Sequence, residues 1–180
     1  MNMRKAKFHL LFLFLILLAC SVRTPEEKSR SAAIGKCINL TMFKNVLYKG
    51  DTIPFYDFKK TYKYTFLVYL QNNCQPCYDK YILWNNFIDT LTNSECAVLF
   101  IVHGKNSEEF FEEVRLENPI SANFYLVMDP NYVFIERNIG IPKWLIENSL
   151  LINEKNEIRY IGTPFCKGQI TKNFKKVINE

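Results

Sequence analysis

The stretch YTFLVYLQNNCQPCYDKYILWNNFIDTL, residues 64 to 91, decides the fold. Tyr64 to Leu70 is a continuous run of β-branched, aromatic and aliphatic residues, too short for most helices and closed by the polar Gln71-Asn72-Asn73, so it reads as a buried strand running into a loop. After the loop, Cys77, Tyr81, Trp84, Ile88 and Leu91 recur at steps of four, three, four and three. That is one apolar stripe of a helix packed on a sheet. Trp84 lies on the stripe and is expected in the core, whereas Tyr78 lies off it and is expected to shape a rim.

Cys74-Gln75-Pro76-Cys77 sits at the junction of this strand and helix. Unpaired backbone N–H groups and the helix dipole stabilise negative charge there, which favours a thiolate at Cys74 and makes it the attacking sulfur. Pro76 starts the helix without wasting a donor, and Cys77, one turn on and inward, is placed to resolve a mixed disulfide. Two cysteines at this spacing also make half of a zinc site. Cys96, Cys166 and His103 supply no second pair at matching spacing, so redox exchange is the stronger expectation and metal binding the alternative. Gln71 stands where a peroxidatic Thr-x-x-Cys needs a hydroxyl, which argues against peroxidase chemistry.

Outward from this centre the pattern continues. Ala97 to Val102 and Phe124 to Met128 are further apolar runs, the second closed by the turn signal Asp129-Pro130. Ser107, followed by Glu108 and Glu109, predicts a helix start between them. Leu150 to Ile152 and Ile158 to Ile161 flank the turn-rich Asn153-Glu154-Lys155-Asn156 and predict a hairpin. Ile170, Phe174, Val177 and Ile178 keep helical spacing at the C-terminus, and Ile38 to Lys63 is expected to add a short strand or hairpin in front. The order predicts an α/β domain whose central sheet mixes parallel and antiparallel strands, with helices on both faces.

The N-terminus carries an address. Arg4, Lys5 and Lys7 precede the apolar run Phe8 to Leu18, interrupted only by His9 and about half the ~20 residues needed to cross a bilayer. Leu17-Leu18-Ala19-Cys20 resembles a lipobox, which implies that residues 1–19 are a signal peptide and that Cys20 is lipidated; the alternative is an ordinary secretory signal. From +5 for the whole chain, loss of the three cations leaves about +2, too small a bias for a nucleic-acid partner. Ser21 to Lys36 is polar and reads as a flexible tether reaching roughly 50 Å if extended, leaving residues 37–180 as one domain. Of the remaining thiols, Cys37, Cys96 and Cys166 are expected to be buried and free, with Cys37–Cys166 the one plausible pairing. His103 is expected on a surface loop.

Cys-x-Pro-Cys after a hydrophobic strand, with a later Leu-Ile-Asn-turn-Ile hairpin, resembles the thioredoxin superfamily. The resemblance is nearest to membrane-tethered, TlpA-type thioredoxin-like lipoproteins of Gram-negative bacteria. Trp84, Leu151 to Ile158 and Gly162-Thr163-Pro164 match that group's helix, hairpin and following turn. The resemblance implies thiol–disulfide exchange in the cell envelope, with exported proteins bearing thiols or disulfides and a redox partner as clients, and no cofactor. Gln75 and Pro76 are implied substrate contacts. The superfamily also has a substrate-docking cis-proline before the hairpin; here Glu147 occupies that register and Pro142 lies five residues earlier, so either one is expected to face the cysteine pair. A metal-binding lipoprotein and a noncatalytic adaptor are the competing functions.

Overall fold

The computed structural model describes residues 23–48, 50–88, 95–104, 109–110, 112, 124–165 and 174. The expected signal peptide, Cys20, Leu91, Ser107, Glu108, Cys166 and, apart from Phe174, the expected C-terminal helix lie outside the described residues. The chain divides into two units, residues 1–32 and 33–180.

Helix α1 (Pro25–Ala33) occupies part of the segment expected to be a flexible tether. A reciprocal cap explains it: the Glu27 amide donates to Thr24 Oγ1 at 3.2 Å, and the Thr24 amide donates to the Glu27 carboxylate at 3.0 Å. At about 1.5 Å per residue, the nine helical residues span about 14 Å, less than half of what the same nine would span extended.

In the second unit, seven strands form one sheet: β1 (Asn45–Tyr48), β2 (Asp51–Pro54), β3 (Tyr64–Gln71), β4 (Cys96–His103), β5 (Tyr125–Met128), β6 (Leu150–Asn153) and β7 (Ile158–Ile161). Their spatial order is β2-β1-β5-β4-β3-β6-β7. The central trio β5, β4 and β3 is parallel, while β1 on one side and β6 with β7 on the other are antiparallel, giving the expected mixed sheet. The front segment forms the expected hairpin, β1 with β2. It then adds a helix that was not expected, α2 (Phe55–Thr61), whose apolar Phe55 and Phe58 turn inward.

Alternation along the strands separates two cores, because successive side chains point to opposite faces. Leu67 and Tyr69 of β3 and Leu99 and Ile101 of β4 face a core shared with Phe55, Phe58, Phe134, Leu145 and Ile146. Phe66, Val68, Leu70, Val98, Phe100 and Val102 face the other, shared with Tyr81, Trp84, Phe110 and Phe174. Helix α3 (Gln75–Ile88) therefore covers one face, and α2, α4 (Val133–Arg137) and α5 (Lys143–Glu147) contribute to the other. The stretch between Asp129 and Trp144, which has no strong period, is built from these last two short helices.

Asn138 holds the strandless segment before β1 in place. Its Oδ1 accepts the Asn39 amide at 2.8 Å, while its Nδ2 donates to the carbonyls of Asn39 and Phe134 at 3.0 and 2.8 Å. At 5% exposure, this side chain trades water for backbone partners on both sides.

Candidate active site

Strand β3 delivers the chain to the site. Beyond Gln71, Asn73 adopts the left-handed region at φ 55°, and the turn it makes sets Cys74 immediately before α3. Asn tolerates this conformation better than most residues, which gives the loop asparagine a mechanical role. The Asn73 amide donates to Tyr78 Oη at 2.9 Å, and the Asn72 amide donates to the His103 carbonyl at 2.9 Å, so the loop is held from both the helix and β4.

Cys74 and Cys77 are disulfide-bonded, with Cα atoms 5.2 Å apart. The amides of Cys77 and Tyr78 donate to the Cys74 carbonyl at 2.8 and 3.3 Å, so the first helical turn itself brings the sulfurs together. Both cysteines are half-buried, and Gln75 and Pro76 between them are exposed, available to a macromolecular partner.

Tyr78 departs from expectation: it is 6% exposed, its ring is 5.5 Å from that of Phe110, and its hydroxyl serves the loop. Trp84 is fully buried, as its place on the stripe requires, with ring centroids 4.8 Å from Phe66 and 5.2 Å from Phe165.

A polar cavity of about 470 Å³ opens beside the pair, lined by Asn72, Asn73, Tyr78, His103, Glu109 and Glu112 among others. His103 is no free surface histidine. It ends β4 half-buried, its ring stacks on Tyr132 at 3.4 Å, and Nδ1 lies 2.8 Å from the Asp129 carbonyl. A carbonyl only accepts, so Nδ1 is the donor in this contact. Gly104 follows, and the Asn72 amide group occupies the space that a Cβ on it would need, which fits the absence of a side chain there.

Toward the hairpin, α5 ends at Glu147, one of the two residues expected to face the cysteine pair. Its carboxylate is exposed and 3.5 Å from Lys143 Nζ; its carbonyl accepts Lys80 Nζ at 2.6 Å, and Lys80 also donates to the Tyr69 carbonyl at 3.1 Å. Burial pushes the Lys80 ammonium down to about 8, partly opposed by the Glu147 charge. Pro142 is exposed at the start of α5, and no peptide bond among the described residues is cis. Lys80 is a residue that sequence reasoning does not single out; a lysine one turn beyond Cys77 is the signal it leaves.

Cys96 is buried and free, its thiol pushed up to about 11 chiefly by desolvation, whereas Cys37 is free but exposed, contrary to expectation. Among the described residues no three His, Cys, Asp or Glu side chains gather as a metal site would require, and no helix is long and apolar enough to cross a membrane.

Against solved structures, this arrangement aligns with a protein described as the thiol:disulfide interchange protein DsbE from Chlorobium tepidum, at TM-score 0.54 over 81% of this chain and 95% of that one, with 14% identity. The chain has the thioredoxin-like fold. The thioredoxin domain of a thiol-disulfide oxidoreductase from Bacteroides vulgatus aligns at TM-score 0.53 over 82% of this chain and 99% of that one, with 13% identity. A protein described as a disulfide isomerase from Bacteroides thetaiotaomicron aligns at 0.53 over 82% and 88%, with 15% identity. No family model and no curated protein matches the sequence. Within the thioredoxin-like fold, the disulfide joins Cys74, just after strand β3 and before α3, to Cys77 in the first turn of α3.

Proposed function

We propose that this protein carries out thiol–disulfide exchange on exported proteins, from a domain anchored through lipid on Cys20 in the envelope of a Gram-negative bacterium. The observation that carries the chemistry is the Cys74–Cys77 disulfide at the N-terminus of α3, flanked by exposed Gln75 and Pro76. The anchor is supported by the lipobox-like Leu17-Leu18-Ala19-Cys20 after a charged and then apolar leader.

In the reducing direction, the Cys74 thiolate attacks one sulfur of a substrate disulfide, forming a mixed disulfide and releasing the other substrate sulfur as a thiolate that takes up a proton. Cys77 then loses its proton and attacks Cys74 Sγ; the Cys74–Cys77 bond forms, the mixed disulfide breaks, and the second substrate sulfur leaves. Two electrons have moved from the pair to the substrate. The reverse sequence oxidises a substrate dithiol, and the potential of the pair against its redox partner sets the direction. A metal-binding reading has less support, since the two thiols stand without third and fourth protein ligands among the described residues.

Cys77→Ser tests the proposal. Without a resolving sulfur, Cys74 should accumulate mixed disulfides with exported proteins, seen as high-mass species that collapse on reduction. Their absence from cells expressing the variant, with Cys74 still titratable by alkylation, would refute exchange.

A further inference from the structure

At the end of β3 opposite the cysteine pair, a second cavity of about 770 Å³ lies between α2, the segment before β1 and the turn of the β6–β7 hairpin. Its size falls in the range that accommodates small organic ligands, roughly 300–1,000 Å³. The walls are of two chemistries. Phe43, Phe55 and Tyr62 supply aromatic surface, while Lys44, Lys59, Lys60 and Lys63 contribute four cations against the single carboxylate of Glu154.

The lysines are not equivalent. Lys60 Nζ sits 4.3 Å over the Tyr56 ring, and Lys63 Nζ is 3.9 Å from the Glu95 carboxylate, both as surface contacts. Lys59 reaches inward and is half-buried; its ammonium donates to the Asn153 carbonyl at a long 3.4 Å. Among the described residues no carboxylate lies within ion-pairing distance of it. Burial pushes it down to about 8, with Glu154 only partly opposing.

We propose that this cavity binds a monomeric single-chain acyl anion, its hydrocarbon chain against Phe43, Phe55 and Tyr62 and its acidic head at Lys59. Charge and shape together select this occupant. A neutral apolar molecule leaves the Lys59 ammonium desolvated and uncompensated; a small inorganic anion leaves the aromatic wall wet. A flat membrane surface does not fill a concavity. The site lies a full strand away from Cys74 and is independent of the exchange chemistry.

Isothermal titration of the chain lacking its first nineteen residues, with dodecanoate below its micellar concentration, tests the proposal. One dodecanoate per chain is expected, with uptake of about half a proton per ligand at pH 8, because an anion restores the charge on a half-protonated Lys59. Proton uptake is read by repeating the titration in buffers of different ionisation enthalpy. Lys59→Met should weaken binding about tenfold or more and abolish the uptake. Lys44→Gln, an exposed change that spares the core, should weaken it less and keep the uptake. Equal affinity for dodecanol, equal affinity for inorganic phosphate, or association with phosphatidylglycerol vesicles without binding of monomeric dodecanoate would each overturn the proposal.

Discussion

Lys80→Met is expected to flatten the alkaline rise in stability of this protein. Lys80 carries an ammonium that is pushed from 10.5 to about 8 by burial, while in the unfolded chain it titrates at the ordinary value. A lowered lysine means the unfolded state binds more protons between these values, so stability rises with pH across that window. At pH 7 the residue is about nine-tenths protonated when folded and almost fully protonated when unfolded; by pH 9.5 it is about nine-tenths protonated only when unfolded. Integrating that difference gives about 2 kcal/mol gained between pH 7 and pH 9.5. Methionine keeps the stem and removes the charge. It also removes the bonds to the Tyr69 and Glu147 carbonyls, so the two effects offset at pH 7 and the slope is the informative quantity.

The assay is urea denaturation at half-unit steps from pH 7 to pH 9.5, in a Cys74→Ser, Cys77→Ser background so that thiol reshuffling does not intrude. Lys59, lowered for the same reason, leaves a residual slope common to both proteins. Burial raises Tyr69, Tyr81 and Tyr125, so above about pH 10 the unfolded state ionises first and stability falls in both. Parallel profiles for the parent and Lys80→Met would refute the burial argument for Lys80.

Three further outcomes follow from the packing and the thiols. Trp84→Ala should cost about 3–5 kcal/mol in a urea melt, because it empties a fully buried site among Phe66, Phe87 and Phe165. Asn138→Ala should cost about 2–3 kcal/mol and accelerate amide exchange at Asn39, whose N–H loses its acceptor; unchanged exchange would show that the segment is held otherwise. With the Cys74–Cys77 disulfide intact, iodoacetamide should modify Cys37 in the folded state and reach Cys96 only in denaturant, as mass spectrometry of the peptides will show.

Much of the centre was legible because its signals are local. The seven-residue run Tyr64 to Leu70 has no option but a buried strand, and the Cys-x-x-Cys spacing needs a helical first turn to bring its sulfurs together. Helix α2 was missed although its signals are present: Pro54 before it, Asp57 in its first turn, Lys59 and Lys60 in its last, Phe55 and Phe58 three apart. Seven residues are too few for a periodic pattern to stand out. The Thr24–Glu27 box was likewise readable, but the polar composition around it suggested an extended chain. A stripe through Cys77 leaves Tyr78 off the packed face, but the buried face is wide enough to take both, and the Asn73 amide supplies the partner the Tyr78 hydroxyl needs.

From the chain alone came the strand-to-helix placement of Cys74 and Cys77 and the mixed α/β order of elements, since each rests on local runs and spacings. The tertiary structure alone decided the strand order β2-β1-β5-β4-β3-β6-β7, the capture of the Glu147 carbonyl by Lys80, the clamp of Asn138 on Asn39, and the cationic cavity beneath Lys59. The Lys80 and Asn138 contacts join residues 67 and 99 positions apart in the chain, and the cavity gathers three separate segments. No local pattern encodes the partner of a side chain when only the folded sheet brings the two together.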